Sequence, residues 1–195
     1  MRLFAAVTLS DENQKRLHTE VARLVRAHTD CLRAVPEHSA HVTLAFAGQL
    51  DGAGVQAIEN ALQDVAARRE PFRIELSGAR VLRARQDPRL VMVPVTTGAG
   101  QLDATARELH REIVARLPSL NLSPPKGAHA TVARFRKHAR ASDGRAVEQT
   151  LAFSPLGSLV LNDEVGAIHL IESTLTPSGP EYRARLSIPL AGRAR

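Results

Sequence analysis

Apolar and polar residues alternate in the stretch AHVTLAFAG, which begins at position 40 of the chain. Successive side chains of a β-strand point to opposite faces, so this alternation predicts a strand with one apolar and one polar face. His41 and Thr43 would share the polar face. A half-buried strand whose polar residues simply meet water also explains the stretch, so this His-x-Thr alone does not indicate a function. The predicted apolar face consists of Val42, Leu44 and Phe46.

A second stretch, AHATVAR, repeats the pattern from position 128. His129 and Thr131 form its His-x-Thr, and the apolar residue Val132 follows them. Two such tripeptides are only mildly surprising in a chain with 8 histidines, so their surroundings have to decide what they mean.

The surroundings match when the chain is slid against itself by the 88 residues that separate the two histidines. The N-terminal segment RLFAAVTL then falls on LVMVPVTT, and strands, helices and the His-x-Thr strand follow in the same order in both copies. We infer two related repeats, approximately 1–87 and 88–175, and a C-terminal strand over 182–190. Together they form one two-lobed domain over 1–195.

Hydrophobic periodicity and the positions of Gly and Pro predict strands and helices in the proportions of an α+β protein. Ser10 would cap the first helix, because its hydroxyl can accept from a free backbone N–H. A loop over 118–127, a basic loop over 136–145 that leads into a short helix, and the turn TPSGPE interrupt the pattern. The predicted helices are 11–29, 53–68 and 99–117, and the predicted strands are 2–9, 40–47, 72–84, 89–96, 129–135, 151–161, 165–172 and 182–190.

Composition sets the broad class of protein. With 195 residues, 44% of them hydrophobic, the chain can bury a sizeable core. No apolar run approaches the roughly 18 residues of a membrane-spanning helix, and the N-terminus lacks the apolar core of a signal peptide. Cys31 is the only cysteine, so no disulfide can form within the chain. We therefore expect a cytoplasmic protein that does not bind membranes and is a monomer.

Charge adds a preference among partners. The net charge is +6 and the isoelectric point is about 10.6, which favours a phosphate-bearing or polyanionic partner. Aromatic residues make up only 3% of the chain, too few for a protein that stacks several nucleobases. Positive charge therefore supports a phosphate ligand without identifying it.

Two imidazoles on opposed strands suit displacement at phosphorus. A neutral imidazole can take a proton from water while a protonated one gives a proton to the departing oxygen, because histidine titrates near neutral pH. Threonine hydroxyls on the same face can hydrogen-bond the phosphoryl oxygens. This chemistry formally requires no metal, and a strained five-membered cyclic phosphate would be a fitting substrate.

The segments HVTL and HATV resemble the doubled motif of the two-histidine phosphoesterase superfamily. Together with RLFAAV, PFRIELSG and IESTLTPSGPEY, they are similar to its RNA 2′,3′-cyclic phosphodiesterase branch, also called 2′-5′ RNA ligase, over nearly the whole chain. The resemblance implies a bilobal fold with two mainly antiparallel sheets around a cleft and helices outside. It also implies hydrolysis of RNA or nucleotide 2′,3′-cyclic phosphates to 2′-phosphates without metal or cofactor.

The resemblance also assigns roles to individual residues. His41 would be the proton donor and His129 the acceptor that activates water, with Thr43 and Thr131 binding the phosphate. Arg134 stands where the family often has a phosphate-binding arginine. Strict alternation would put Arg134 on the face opposite His129, so this role requires a β-bulge or a strand end.

This chain departs from the family at two places. Lys126-Gly127-Ala128 precedes the second motif, where an aromatic and a proline are common, and Ala5 stands where many relatives carry an aromatic. Both departures concern stacking of a nucleobase, so the sequence does not predict a preferred terminal nucleotide.

Other interpretations stay open at this point. The same fold could join RNA halves through a 2′-5′ bond, or it could be a non-catalytic RNA- or nucleotide-binding module. His38 lies three residues before His41, and two histidines at this spacing could suggest a metal site, but no pattern of Cys or carboxylates completes one. The remaining histidines are expected on helix surfaces, in the basic loop and in the core: His18, His28, His110, His138 and His169.

Overall fold

The computed structural model describes residues 2–120, 122, 127–176 and 179–192. Within them the chain forms four α-helices and ten β-strands. The helices are α1 (Asp11–Ala27), α2 (Gly52–Ala67), α3 (Ala99–Arg116) and α4 (Ala141–Ala152). The strands are β1 (Arg2–Thr8), β2 (Leu32–Ala34), β3 (His41–Gln49), β4 (Phe72–Ser77), β5 (Arg80–Ala84), β6 (Asp87–Thr97), β7 (His129–Phe135), β8 (Val160–Val165), β9 (Ala167–Thr176) and β10 (Gly179–Pro189).

The strands follow one antiparallel path in the order β10-β9-β1-β3-β7-β6-β4-β8, with β2 beside β7 and β5 beside β6. The two halves of this path meet between β3 and β7, where the structure pairs only Val42 with Ala130. The predicted α+β class with mainly antiparallel strands is therefore confirmed. The two histidine-bearing strands lie side by side at the centre.

The two halves of the chain exchange strands. β9, which comes late in the chain, pairs with β1, and β5, from the first half, pairs with β6. Element bounds recur at the spacing of the two motifs, since α3 begins 88 residues after α1 and β8 begins 88 residues after β4. Because each half completes the sheet of the other, neither can be removed without exposing strand edges. The division into two repeats stays a prediction.

One face of the sheet is covered by the helices and holds the main core. On α1, Leu17, Val21 and Leu24 recur at helical spacing and are buried against the sheet. Ser10 caps this helix as predicted, with its hydroxyl accepting from the Asn13 N–H at 3.5 Å. The opposite face of β1, β3 and β9 carries only a small apolar cluster, so this face is available for a site.

Several predicted elements were wrong in detail. The strand predicted over 72–84 is two strands, because Gly78 has a φ of 75° and ends β4 before β5 begins. Helix α4 begins inside the predicted loop 136–145, where the Asp143 carboxylate accepts from the Arg140 N–H at 2.7 Å and caps the helix. The strand predicted over 151–161 is the end of α4 and a turn, followed by β8.

The remaining differences lie in strand lengths and in the loops. β2 was not predicted, because three residues are too few for a periodic signal. β9 and β10 extend beyond the predicted strands. Parts of the predicted loop 118–127 and of the turn TPSGPE lie outside the described residues. No helix in the described part of the chain is long and apolar enough to cross a membrane.

Candidate active site

The His-x-Thr side chains lie on the face of the sheet away from the core. On β3, His41 and Thr43 are partly exposed, whereas Val42 between them is 1% exposed and belongs to the core. On β7, His129 and Thr131 alternate in the same way around Ala130, which is fully buried. The alternation predicted for these two motifs is therefore present in both strands.

The pair between Val42 and Ala130 fixes the relation of the two motifs. In an antiparallel register it sets His41 diagonally across from His129, and residues in that relation lie roughly 7–8 Å apart, with their Cβ atoms somewhat closer. The structure thus brings His41 and His129 together on one face.

Both imidazoles are oriented by a backbone carbonyl two residues earlier. His41 Nδ1 is 2.7 Å from the carbonyl oxygen of Ser39, and His129 Nδ1 is 2.9 Å from that of Gly127. A carbonyl only accepts, so Nδ1 is the protonated nitrogen in both rings. Nε2 is then the nitrogen that can accept or donate a proton in each case.

The environment of His41 disfavours its charged form. Burial lowers the pKa of the His41 imidazole, the hydrogen bond to Ser39 raises it, and the positive charges of Arg134 and His129 lower it. The net direction is downward. Arg134 and His129 are therefore close enough to His41 to affect it electrostatically, and a bound anion would oppose this lowering.

A β-bulge in each of the two strands changes the alternation after the His-x-Thr. In β3, Thr43 and Ala45 pair with two consecutive residues of β1. In β7, Thr131 and Ala133 pair with two consecutive residues of β6. Leu44 and Val132 are the extra residues, and the strand beyond each of them presents its opposite face.

The bulge at Val132 brings Arg134 to the face of His129, which is the condition that its predicted role required. The equivalent bulge at Leu44 brings Phe46 to the face of His41, where the residue is 44% exposed. The prediction that Phe46 shares the apolar face with Val42 was therefore wrong. Sequence alternation alone cannot locate a bulge, because a bulge depends on the register against the neighbouring strand.

A cleft of about 340 Å³ opens beside His41. Three of the predicted site residues line it, namely His41, Thr43 and Arg134. His129 lies on the neighbouring strand and does not line this cleft, and Thr131 borders a small separate depression near His18. The other residues that line the cleft are Arg2, Phe4, Phe46, Ser173, Leu175, Pro180 and Tyr182.

Aromatic rings cluster on the His41 side of the cleft. The ring centroid of Phe4 is 4.7 Å from that of His41, and the ring of Tyr182 meets His41 edge-on at 5.2 Å. These contacts bury one side of the imidazole and contribute to the lowered pKa of His41. Phe4 and Tyr182 were not predicted as site residues, although both lie in segments that carry the family resemblance.

The other histidines have structural partners. His169 Nε2 is 3.2 Å from the Thr8 hydroxyl, and burial lowers the pKa of His169. His28 Nε2 is 2.8 Å from the Thr150 hydroxyl, which ties α1 to α4. His38 is near the carboxylates of Glu37 and Asp11, at 3.6 and 3.9 Å. Among the described residues, no three His, Cys, Asp or Glu side chains are grouped closely enough to hold a metal ion.

The sequence is similar to a known family over most of its length. A family model described as the 2′-5′ RNA ligase superfamily matches residues 10–174. An RNA 2′,3′-cyclic phosphodiesterase of Aquifex aeolicus is 31% identical over 84% of this chain and 86% of the relative. A protein of the same name from Aeropyrum pernix is 31% identical over 90% of this chain and 99% of the relative.

Solved structures share the fold. The crystal structure of TT0787 of Thermus thermophilus matches with a TM-score of 0.82 and 25% identity over the full length of both chains. The crystal structure of E. coli LigT complexed with 3′-AMP matches with a TM-score of 0.73 and 20% identity over 97% of each chain. The overall fold of the chain is therefore an established architecture.

Proposed function

The chain belongs to the 2′-5′ RNA ligase superfamily, and from that premise we propose that it hydrolyses the 2′,3′-cyclic phosphate of RNA ends or nucleotides to a 2′-phosphate. The relatives named RNA 2′,3′-cyclic phosphodiesterase support this substrate class. The observation that carries the proposal is the pair of imidazoles, His41 and His129, that share one sheet face and are both held through Nδ1 by a backbone carbonyl.

In the proposed reaction, His129 acts first as a base. Its neutral Nε2 accepts a proton from a water molecule, and the water oxygen forms a bond to phosphorus opposite O3′. The bond between phosphorus and O3′ breaks, and its electron pair stays on O3′. The Nε2–H of protonated His41 donates a proton to this oxygen. The product carries a 2′-phosphate and a 3′-hydroxyl, and proton exchange with solvent restores both imidazoles.

Thr43, Thr131 and Arg134 are proposed to bind the phosphate. A hydroxyl donor beside each imidazole can hydrogen-bond the non-bridging oxygens as negative charge builds on them. The Arg134 guanidinium adds positive charge in the cleft. Thr43 and Arg134 line the cleft directly, which supports their part of the proposal. With these donors and two proton-transfer groups, no step of the reaction requires a metal ion.

The lowered pKa of His41 is compatible with its role as an acid once substrate is present. In the free protein, burial and the charges of Arg134 and His129 favour neutral His41. A cyclic phosphate is a monoanion, and its charge next to the ring favours imidazolium and raises the pKa of His41. Substrate binding is thus proposed to help protonate the group that donates to O3′.

Ligation is the rival reaction at the same site, with an RNA hydroxyl in place of water. A third possibility is a binding module that does not catalyse, which the intact pair of oriented imidazoles disfavours. We also propose that the protein acts in the cytoplasm, because its single cysteine fits a reducing compartment, and that it acts there as a monomer.

One incubation separates these functions. The protein is mixed with a short RNA ending in a 2′,3′-cyclic phosphate and an equal amount of a second RNA with a 5′-hydroxyl, and the products are resolved by denaturing electrophoresis. Hydrolysis opens the cyclic phosphate without changing chain length, and it is the expected outcome in water. A joined product would favour ligation, and an unchanged cyclic end would leave only the binding module.

A further inference from the structure

Arg2 and Phe46 form a contact at the end of the cleft that the proposed reaction does not use. The guanidinium carbon of Arg2 lies 4.9 Å from the centre of the Phe46 ring, within the range of a cation–π interaction. In the described part of the chain, no carboxylate forms an ion pair with Arg2. Both side chains line the cleft.

This contact leaves the donors of Arg2 available. A guanidinium that lies over a ring still presents its N–H groups at the edge of its own plane, and their fork matches two oxygens of a phosphate. The exposed Phe46 ring holds the guanidinium in place without neutralising its charge. Arg2 is therefore a positioned group for an anion.

The position of this group differs from that of the reacting phosphate. On β1, Thr8 is the partner of His41 and Phe4 is the partner of Phe46. These two partners are four residues apart, which is roughly 13 Å along a strand. A cyclic phosphate at His41 therefore does not extend to Phe46. The ring of Phe4 lies between them, 4.7 Å from that of His41 and 6.5 Å from that of Phe46, and with Tyr182, which it meets edge-on, it forms the apolar wall of the cleft.

We propose that Arg2, held by Phe46, binds the phosphodiester on the 5′ side of the terminal nucleoside and so makes the protein prefer RNA ends over cyclic mononucleotides. The terminal nucleoside would lie along the apolar wall, and the next anion along an RNA chain is this phosphodiester. A 2′,3′-cyclic mononucleotide with a 5′-hydroxyl has no such group. This inference rests on the proposed function, because it assumes that the cyclic phosphate reacts at His41.

The test compares two substrates in the full-length protein. One is a dinucleotide ending in a 2′,3′-cyclic phosphate, and the other is the cyclic mononucleotide with the same terminal base and a 5′-hydroxyl. For R2A, we expect the ratio of kcat/KM between dinucleotide and mononucleotide to fall about tenfold, mainly through KM of the dinucleotide. The dependence of dinucleotide binding on salt should also become shallower, by about one unit of slope.

Three further variants make the result specific. R2K keeps the charge and loses the fork, so it should recover only part of the preference. F46L should lower the same ratio, and R2A/F46L should be no worse than R2A if the ring acts through the guanidinium. R111A, which removes an exposed arginine from α3, should leave the ratio unchanged.

The outcomes separate this inference from the function that it rests on. If the wild-type protein hydrolyses both substrates and R2A keeps the wild-type ratio, the role of Arg2 is wrong and the proposed function stands. If the wild-type protein hydrolyses neither substrate, the proposed function itself fails. A thermal melt of each variant confirms that a changed ratio does not come from unfolding.

Discussion

His41 and His129 are held by equivalent hydrogen bonds in neighbouring strands. Each Nδ1 donates to the carbonyl oxygen two residues earlier, at 2.7 Å to Ser39 and 2.9 Å to Gly127. The backbone thus holds the same nitrogen of both rings, while the Val42–Ala130 pair sets the strands side by side.

Removal of either imidazole should nearly abolish hydrolysis. H41A and H129A should each lower kcat for a cyclic phosphate by at least about 100-fold, the usual scale for loss of a general acid or base. H41N is a stricter variant, because its amide can still donate toward the Ser39 carbonyl but cannot transfer a proton. H110A, on α3, should keep wild-type turnover. Near-normal kcat in H41A or H129A would exclude the two-imidazole reaction.

The threonines should matter less than the histidines. T43A and T131A each remove one hydrogen bond to the phosphate and leave proton transfer intact, so we expect roughly tenfold losses in kcat/KM. T43S and T131S keep the hydroxyl and should retain most of the activity. Steady-state kinetics of the four variants measures this, and equal losses for Ala and Ser would assign the threonines a packing role instead.

The pH dependence should reveal the effect of substrate on His41. Loss of the proton from His41 sets the basic limb of the profile if this residue is the acid. In the free protein, burial and the charges of Arg134 and His129 lower the pKa of His41, and a bound phosphate should raise it. The basic limb of the kcat profile should therefore lie at higher pH than the basic limb of the kcat/KM profile.

Arg134 gives this prediction a matched variant. R134Q removes one of the charges that lower the pKa of His41, so the basic limb of kcat/KM should move to higher pH. The same variant should bind substrate more weakly. A basic limb that stays in place or moves to lower pH in R134Q would contradict the assigned coupling between Arg134 and His41.

The junction of the two sheet halves should be sensitive to side-chain volume. Ala130 is fully buried opposite Val42, so A130L should lower the free energy of unfolding by about 1–3 kcal/mol through overpacking. A152L, at an exposed alanine near the end of α4, is the matched control. Urea unfolding followed by circular dichroism measures both, and an unchanged midpoint for A130L would show that the junction is loosely packed.

The sequence predicts the two central strands and the face that the His-x-Thr side chains share, since a period of two residues and repeated motifs are local signals. It does not predict Phe46 in the cleft, because the bulge at Leu44 depends on the register against β1. The bulge at Val132 settles the face of Arg134 for the same reason.

Contacts between residues far apart in the chain could also not be predicted from the sequence. Tyr182 reaches His41 only because β9 pairs with β1 across the sheet and carries β10 with it. Helix α4 was partly missed because its cap, the Asp143 carboxylate on the Arg140 N–H, lies in a segment whose composition is typical of a basic loop. Local patterns specify elements, whereas register and strand exchange decide which side chains share the cleft.

Identification of the phosphate product tests the central claim most directly. The protein is incubated in EDTA with an RNA that ends in a 2′,3′-cyclic phosphate, and the product is identified as a 2′- or 3′-phosphate by chromatography against both standards. If His41 donates to O3′ and His129 activates water, the product is the 2′-phosphate and the rate is unaffected by EDTA. Predominant 3′-phosphate would contradict the assigned direction of proton transfer, and loss of turnover in EDTA that zinc restores would contradict the metal-independent reaction.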